Sequence, residues 1–213
     1  MISERDPSKV VFDFDGVLVN SNELKQECFL KVANLYGDQI FERFKQYCER
    51  HPGETRFQKM RWLERELNAD SIEISRDQLV AQYSYCVKTG LQNVEYVEDL
   101  HELKQNGPSV PWSIVSNAPS DEIRWYLEQR GWIDLFEDGI YGAPRPKADV
   151  FEEEYNTSDR QQMLFLGDSQ SDFEVAKEFD IDFVFVRQWS RDPWLADNDD
   201  VSTVPSVGDL FRT

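Results

Sequence analysis

The stretch that most restricts the fold lies near the start of the chain. Residues 9–16 read Lys-Val-Val-Phe-Asp-Phe-Asp-Gly, and the next strand-like run begins only at about residue 112. A short β-branched and aromatic run that leads into an acid and a glycine predicts a buried strand running into a loop. From about residue 21 to 90 the spacing is helical instead. Leu24, Cys28, Val32 and Leu35 form one apolar stripe, and Ile40, Phe41, Phe44, Tyr47 and Cys48 a second. Phe57, Met60, Leu63 and Leu67 make a third, and Leu79, Val80, Tyr83 and Val87 a fourth. Four amphipathic helices with no strand between them predict a small all-α unit inserted in the chain.

Beyond about residue 94 strands and helices alternate. Strand patterns at 112–115, 139–141, 163–166 and 182–186 are separated by helix patterns at 121–129, 148–155 and 172–179. This alternation predicts the α/β class, a Rossmann-like parallel sheet core with helices on both faces and sites outside the carboxyl ends of its strands. The expected division is a core of residues 1–19 and 95–213 around an all-α insert of residues 20–94. From Arg191 the chain holds Asp192, Asp197, Asp199 and Asp200, an acidic surface loop, before an apolar pattern at 207–211 that predicts a docking terminal helix.

A length of 213 residues allows one or two domains, and 40% hydrophobic content excludes disordered and low-complexity readings. No apolar run approaches the roughly 20 residues of a membrane helix, and the first residues are too polar for a signal peptide, so no membrane partner and a cytoplasmic location are expected. With 41 acidic against 23 basic residues the net charge is −18, which disfavours nucleic acid as a partner and is compatible with a divalent cation. Cys28, Cys48 and Cys86 are odd in number, lack metal-ligand spacing and fall at apolar helical positions, so all three are expected as small core residues.

Chemistry concentrates at the strand ends. Asp13 and Asp15 follow the first strand, an unfavourable place for two carboxylates unless a metal or a catalytic role offsets their desolvation. Asp168 and Asp172 follow another strand-like run, and Ser116, Asn117 and Lys147 follow two more. A hydroxyl, an ammonium and several carboxylates at one sheet edge form a phosphate-handling set, with one carboxylate left to attack phosphorus. His51 and His101 have no ligand-spaced partner, so a histidine metal centre or a serine–histidine triad has little to build on.

Asp13-Phe14-Asp15-Gly16-Val17, Ser116-Asn117, Lys147 and Gly167-Asp168-Ser169-Gln170-Ser171-Asp172 together resemble, in order, the four motifs of the haloacid dehalogenase-like superfamily. The resemblance implies that Asp13 is the nucleophile that becomes aspartyl-phosphate and that Asp15 is the general acid and base. It further implies that Ser116, Asn117 and Lys147 bind the phosphoryl group. Mg²⁺ would be held by Asp13, the Asp15 backbone carbonyl and Asp168, with Asp172 ligating through water or orienting Lys147. An acid at position 15 resembles phosphatase and phosphomutase members. Many members place the lysine at the start of Lys-Pro-x-Pro-Asp, a place Arg145 could fill here. A subset resembles the spacing of Gly142 to Lys147, which favours Lys147, since an arginine fork differs from an ammonium.

The helical insert is similar to the α-helical cap that excludes bulk water in this family. Its loop His51-Pro-Gly53-Glu-Thr-Arg56-Phe-Gln-Lys59 makes Gly53, Arg56 and Lys59 candidates for substrate selection, with Lys25 a weaker one. The implied activity is an Mg²⁺-dependent phosphatase acting on a small phosphorylated metabolite, such as a sugar phosphate or a phosphoglycolate-like acid, by a monomer or homodimer. The alternatives are a β-phosphoglucomutase-like phosphomutase and a non-catalytic binding protein of the same fold.

Overall fold

The computed structural model describes residues 7–51, 54–194, 198 and 201–211. The chain divides into two compact units, one running to Asn22 and resuming at Glu95, the other Glu23–Val94. Residues 20–22 therefore belong with the first unit and not with the helical insert. The reason is local pairing: Asn20 donates its backbone N–H to Glu95 O at 2.8 Å and Val97 to Leu18 O at 3.0 Å. The Asn20 side chain reinforces this on Glu95 at 2.9 Å.

In the first unit the described residues form a six-stranded sheet, β1 (Lys9–Phe12), β2 (Trp112–Pro119), β3 (Ile140–Ala143), β4 (Met163–Gly167), β5 (Asp182–Val186) and β6 (Thr203–Val204). Their order is β3-β2-β1-β4-β5-β6, and every neighbouring pair is parallel. The chain runs outward from β1 in both directions, so the crevice where the order reverses lies at the carboxyl ends of β1 and β4. Phe12 pairs with Leu166 on one side and Ile114 on the other, which brings the residues just after all three strands to the same edge.

Period-two alternation sorts these strands between two cores. Val11, Val115, Met163 and Phe165 pack with Val150 and Phe151 of α7 (Lys147–Glu154) and Ala176 of α9 (Gln170–Glu178). On the opposite face Phe12 meets Trp112 at 4.9 Å and Phe136 at 5.9 Å. Phe211 of α10 (Val207–Phe211) docks 5.3 Å from Trp112, as the terminal apolar pattern predicts. Short elements between the predicted ones are α5 (Leu100–Asn106), α8 (Thr157–Arg160) and the 3-10 turn Ile133–Leu135, with α6 (Ser120–Arg130) between β2 and that turn.

The second unit contains α1 from Glu23 on (the helix spans Asn22–Asn34), α2 (Asp38–Arg50), α3 (Arg56–Ala69) and α4 (Arg76–Leu91). Thr55 with Gln58 and Ser75 with Gln78 close capping boxes at the starts of α3 and α4. Phe29, Phe44, Met60, Leu63, Leu67, Leu79, Tyr83 and Val87 supply the core. Leu35 departs from the expected stripe: α1 stops at Asn34 and Leu35 is 68% exposed. The cysteines also differ from the all-thiol expectation, because Cys28 and Cys86 form a disulfide and only Cys48 is a free, buried thiol. Their apolar positions put Cys28 on α1 against Cys86 on α4, where a packed pair and a bonded pair give the same periodicity.

The disulfide spans 58 residues, so in the chain-entropy account it restricts the unfolded state by roughly 4 kcal/mol. Cys86→Ser, or a thiol reductant, should lower the melting temperature of the helical unit clearly. Equal melting of oxidised and reduced protein would show that the bond contributes nothing. Among the described residues no helix is long and apolar enough to cross a membrane.

Candidate active site

Asp13, Asp15, Ser116, Asn117, Lys147, Asp168 and Asp172 all belong to the sheet-bearing unit. Asp13 extends the β1 ladder by one step, donating its backbone N–H to Leu166 O at 2.8 Å. Its side chain then turns in and accepts the Phe14 N–H on Oδ1 at 2.7 Å. The loop closes sharply through Gly16 N–H to Val19 O at 2.8 Å. Gly16 has φ +78°, and a Cβ there would lie 2.0 Å from Asp168 Oδ2 and 2.6 Å from Asn22 Nδ2. Only glycine lets the first loop pass this close to the second acid cluster.

Lys147 opens α7 and reaches back to the sheet edge, with Nζ 3.1 Å from Asp13 Oδ1 and 2.5 Å from Asp172 Oδ1. Arg145 takes no part in this group, because its guanidinium is paired with Glu153 at 2.8 Å and Glu154 at 2.7 Å. Ser116 is buried at the end of the central part of β2; its Oγ accepts the Ala118 N–H at 3.2 Å, and its hydrogen bond to Asp13 favours the ionised carboxylate. Neighbouring Asn117 is exposed. Asp15 is half-buried and accepts a hydrogen bond from Ser21 Oγ at 2.5 Å.

Asp168 and Asp172 flank the start of α9. Ser169 caps the helix by accepting the Asp172 N–H, and it donates its hydroxyl to Asp172 Oδ2 at 2.7 Å. Asp168 donates its own N–H to the same Asp172 oxygen at 3.2 Å and accepts Asn22 Nδ2 on Oδ2 at 2.9 Å. A ligand atom from each of Asp13, Asp168 and Asp172 lies within 4.8 Å of the others, and all three residues are buried.

This concentration of buried charge shows in the proton affinities. Burial raises the Asp13 carboxyl from 3.8 to about 6; Lys147 opposes the rise, while Asp172 and Asp15 add to it. Asp168 is pushed well above the ordinary carboxylate value by burial and then by the charges of Asp13 and Asp172, against Asn22 and Lys147. For Lys147 burial acts downward, yet Asp13 and Asp172 outweigh it and hold the ammonium above the usual lysine value. One ammonium thus leaves the three carboxylates short of positive charge. A hard divalent cation fits that deficit and the all-oxygen donor set. The Asp15 carboxylate lies outside the three-acid group and offers only its backbone carbonyl to the expected set.

Of the expected helical-unit residues, Gly53 lies outside the described residues. Arg56 and Lys59 are buried. The Arg56 guanidinium stands 4.8 Å from the Tyr83 ring and donates to Ser84 Oγ at 3.3 Å, and Lys59 Nζ stands 4.9 Å from the Phe29 ring. Burial lowers the Lys59 proton affinity, with Cys48 and Glu54 opposing. Lys25 is half-buried on α1.

Sequence reasoning missed Ser21, Asn22, Ser190 and Asp192. The first two carry one weak signal, a polar pair at a helix start. Asp192 lies in the expected loop and there accepts two backbone amides, whereas Asp197, Asp199 and Asp200 lie outside the described residues.

Comparison with known proteins bears on the fold and the family. No curated protein sequence matches the chain. A protein from Lactobacillus plantarum, provisionally described as a phosphoglycolate phosphatase, has a similar structure at TM-score 0.68 and 20% identity, covering 97% of this chain and 98% of that one. CbbY from Rhodobacter sphaeroides, solved in complex with phosphate, is similar at TM-score 0.71 and 13% identity over 96% of each chain. Protein Tyrosine Kinase A from Mycobacterium tuberculosis shares the fold too, at TM-score 0.62 and 19% identity over 97% of each chain, so fold alone does not choose the reaction. The model of the haloacid dehalogenase-like hydrolases matches residues 10–186, from β1 through β5 and hence across the strand ends that carry Asp13, Ser116, Lys147 and Asp168. The chain belongs to the haloacid dehalogenase-like hydrolase family.

Proposed function

We propose that the protein is an Mg²⁺-dependent phosphatase of a small phosphorylated metabolite that works through an aspartyl-phosphate on Asp13. The observation that carries this reading is the buried carboxylate of Asp13 beside the Lys147 ammonium at 3.1 Å, within a three-acid group short of positive charge. The Asp13 carboxylate attacks phosphorus, an acyl-phosphate bond forms, and the bond to the leaving oxygen breaks. Asp15, in its acid form, protonates that oxygen. It then takes a proton from water, which attacks phosphorus, frees inorganic phosphate and restores Asp13. Lys147, Ser116 and Asn117 hold the phosphoryl oxygens, and Asp172 orients Lys147 through their 2.5 Å contact. Asp13, Asp168 and the Asp15 backbone carbonyl would hold Mg²⁺, whose charge offsets that of the phosphoryl oxygens.

In this reading the helical unit carries selectivity as the cap, through Arg56, Lys59 and Gly53. The substrate in this reading is a sugar phosphate or a phosphoglycolate-like acid, which the description of the Lactobacillus plantarum neighbour as a phosphoglycolate phosphatase supports. Phosphate release from a panel of sugar, nucleotide and organic-acid monophosphates, with Mg²⁺ or EDTA, tests it. Metal-dependent release from a few related compounds is expected. Absence of release from every compound by folded protein, with strong activation by a bisphosphate, would transfer the reading to a phosphomutase.

A further inference from the structure

The loop that follows β5 holds the segment bearing Asp168 from outside. Ser190 Oγ donates to the backbone oxygen of Asp168 at 2.5 Å. Ser190 Oγ in turn accepts the Asp192 N–H at 3.2 Å, so the single hydroxyl proton and one lone pair of Ser190 are both committed. Asp192 Oδ2 accepts the N–H of Gln170 at 2.7 Å, and its Oδ1 accepts the N–H of Trp194 at 2.9 Å.

Gln170 is the first residue of α9, and its N–H is one of the donors that a helix leaves without an intrahelical partner. Ser169 serves the Asp172 N–H of the same turn from within the segment. Asp192 thus completes the cap from a position 22 residues on, with a negative charge at the helix end that favours it. Trp194 fixes the far side of the loop, its ring 4.9 Å from Phe173 on α9 and 6.4 Å from Phe185 on β5. Residues 168–172 are therefore clamped at the Asp168 carbonyl and at the Gln170 amide, on either side of Ser169.

We propose that Ser190 and Asp192 are positioning residues for Asp168, setting the geometry of the β4–α9 turn and through it the affinity of the acidic group for a divalent cation. The inference rests on the metal-dependent reading above. A carboxylate ligand gains from being held in its binding orientation before the ion arrives, and loss of such outer partners costs on the order of 10- to 100-fold in metal affinity.

The test uses the full chain. Mg²⁺ binding is measured by titration calorimetry on wild type, Ser190→Ala, Ser190→Thr, Asp192→Ala and Asp192→Asn, alongside amide hydrogen exchange of residues 167–173 in EDTA. The expected result is Mg²⁺ affinity about 10-fold weaker or more in the two alanine variants. Exchange in the segment should be faster, Ser190→Thr should retain wild-type affinity through its hydroxyl, and Asp192→Asn should fall between. The loss should appear in the Mg²⁺ concentration for half-maximal phosphate release more than in kcat at saturating Mg²⁺. Folded alanine variants that bind Mg²⁺ as wild type does, with unchanged exchange, would overturn the clamp. Wild type that binds Mg²⁺ yet releases no phosphate would instead overturn the phosphatase reading and leave the clamp standing.

Discussion

Asp13→Asn is expected to cut phosphate release by on the order of 10⁴-fold or more, because an amide neither attacks phosphorus nor forms an acyl-phosphate. Asparagine fills the same volume, and Lys147 keeps its 2.5 Å partner Asp172, so the loss should occur in folded protein. Hydroxylamine intercepts acyl-phosphates; added during turnover, it should leave a hydroxamate at residue 13 of wild type and none in the variant. Asp15→Asn should behave differently. Its loss of about 10²- to 10⁴-fold should fall on substrates with an alkoxide leaving group, which needs a proton. An aryl phosphate should give a near-normal first burst of aryl alcohol followed by slow release of phosphate, because the second step still lacks its base. Turnover at the wild-type rate by Asp13→Asn would refute the nucleophile assignment. A first burst slowed as much as alkyl turnover would refute the acid role of Asp15.

These two acids were legible in the sequence because carboxylates directly after apolar strands are costly, and a chain keeps them there only where something offsets the burial. The same reasoning reached Asp168 and Asp172, and strand-to-helix order brought all four to one edge. Parallel pairing of β1 with β2 and β4 then put the residues after those strands side by side. The choice of Lys147 over Arg145 needed a spacing pattern; in the fold it follows from α7, whose acids Glu153 and Glu154 engage Arg145 while Lys147 opens the helix toward Asp13.

What stayed hidden acts across long separations through ordinary polar residues. Asn22 meets Asp168 over 146 residues, and Ser190 reaches the Asp168 carbonyl over 22. Neither serine nor asparagine leaves a periodic signature, and an aspartate in an acidic loop looks solvated until its amide partners are seen. Cys28 and Cys86 were hidden for the opposite reason: their apolar spacing is the same whether they pack or bond. The end of α1 at Asn34, which leaves Leu35 outside its stripe, depends on a tight connection to α2 that starts again at Asp38. Helix ends are set by such local competition more than by periodicity.

Asp168→Asn should reverse the usual effect of mutating a buried charged residue: with EDTA at pH 8 the variant should melt above wild type. Asp13 and Asp168 both hold protons more tightly in the fold than in the unfolded chain, first because they are buried and then because other carboxylates repel them. The contribution of these two groups to metal-free stability is therefore greatest below the ordinary carboxyl value of 3.8 and declines as pH rises, through about 6 for Asp13 and further for Asp168. Asparagine at 168 removes one of these costs and can still accept Asn22 through its amide oxygen. The advantage of the variant should shrink toward pH 4, where wild-type Asp168 is protonated as well. Saturating Mg²⁺ should invert the order at pH 8: a ligand at about 100 times its Kd stabilises wild type by roughly 2.7 kcal/mol, and the variant lacks a ligand for it. Thermal melts of both proteins across pH, with EDTA and with Mg²⁺, measure all four limits. A variant that melts below wild type in EDTA at pH 8 would show that the cluster is not short of positive charge. Undiminished stabilisation by Mg²⁺ would place the cation elsewhere. The same charge deficit that makes the empty group unfavourable is what draws a cation to it, so stability lost without metal and affinity gained with it should rise and fall together across variants of these three acids.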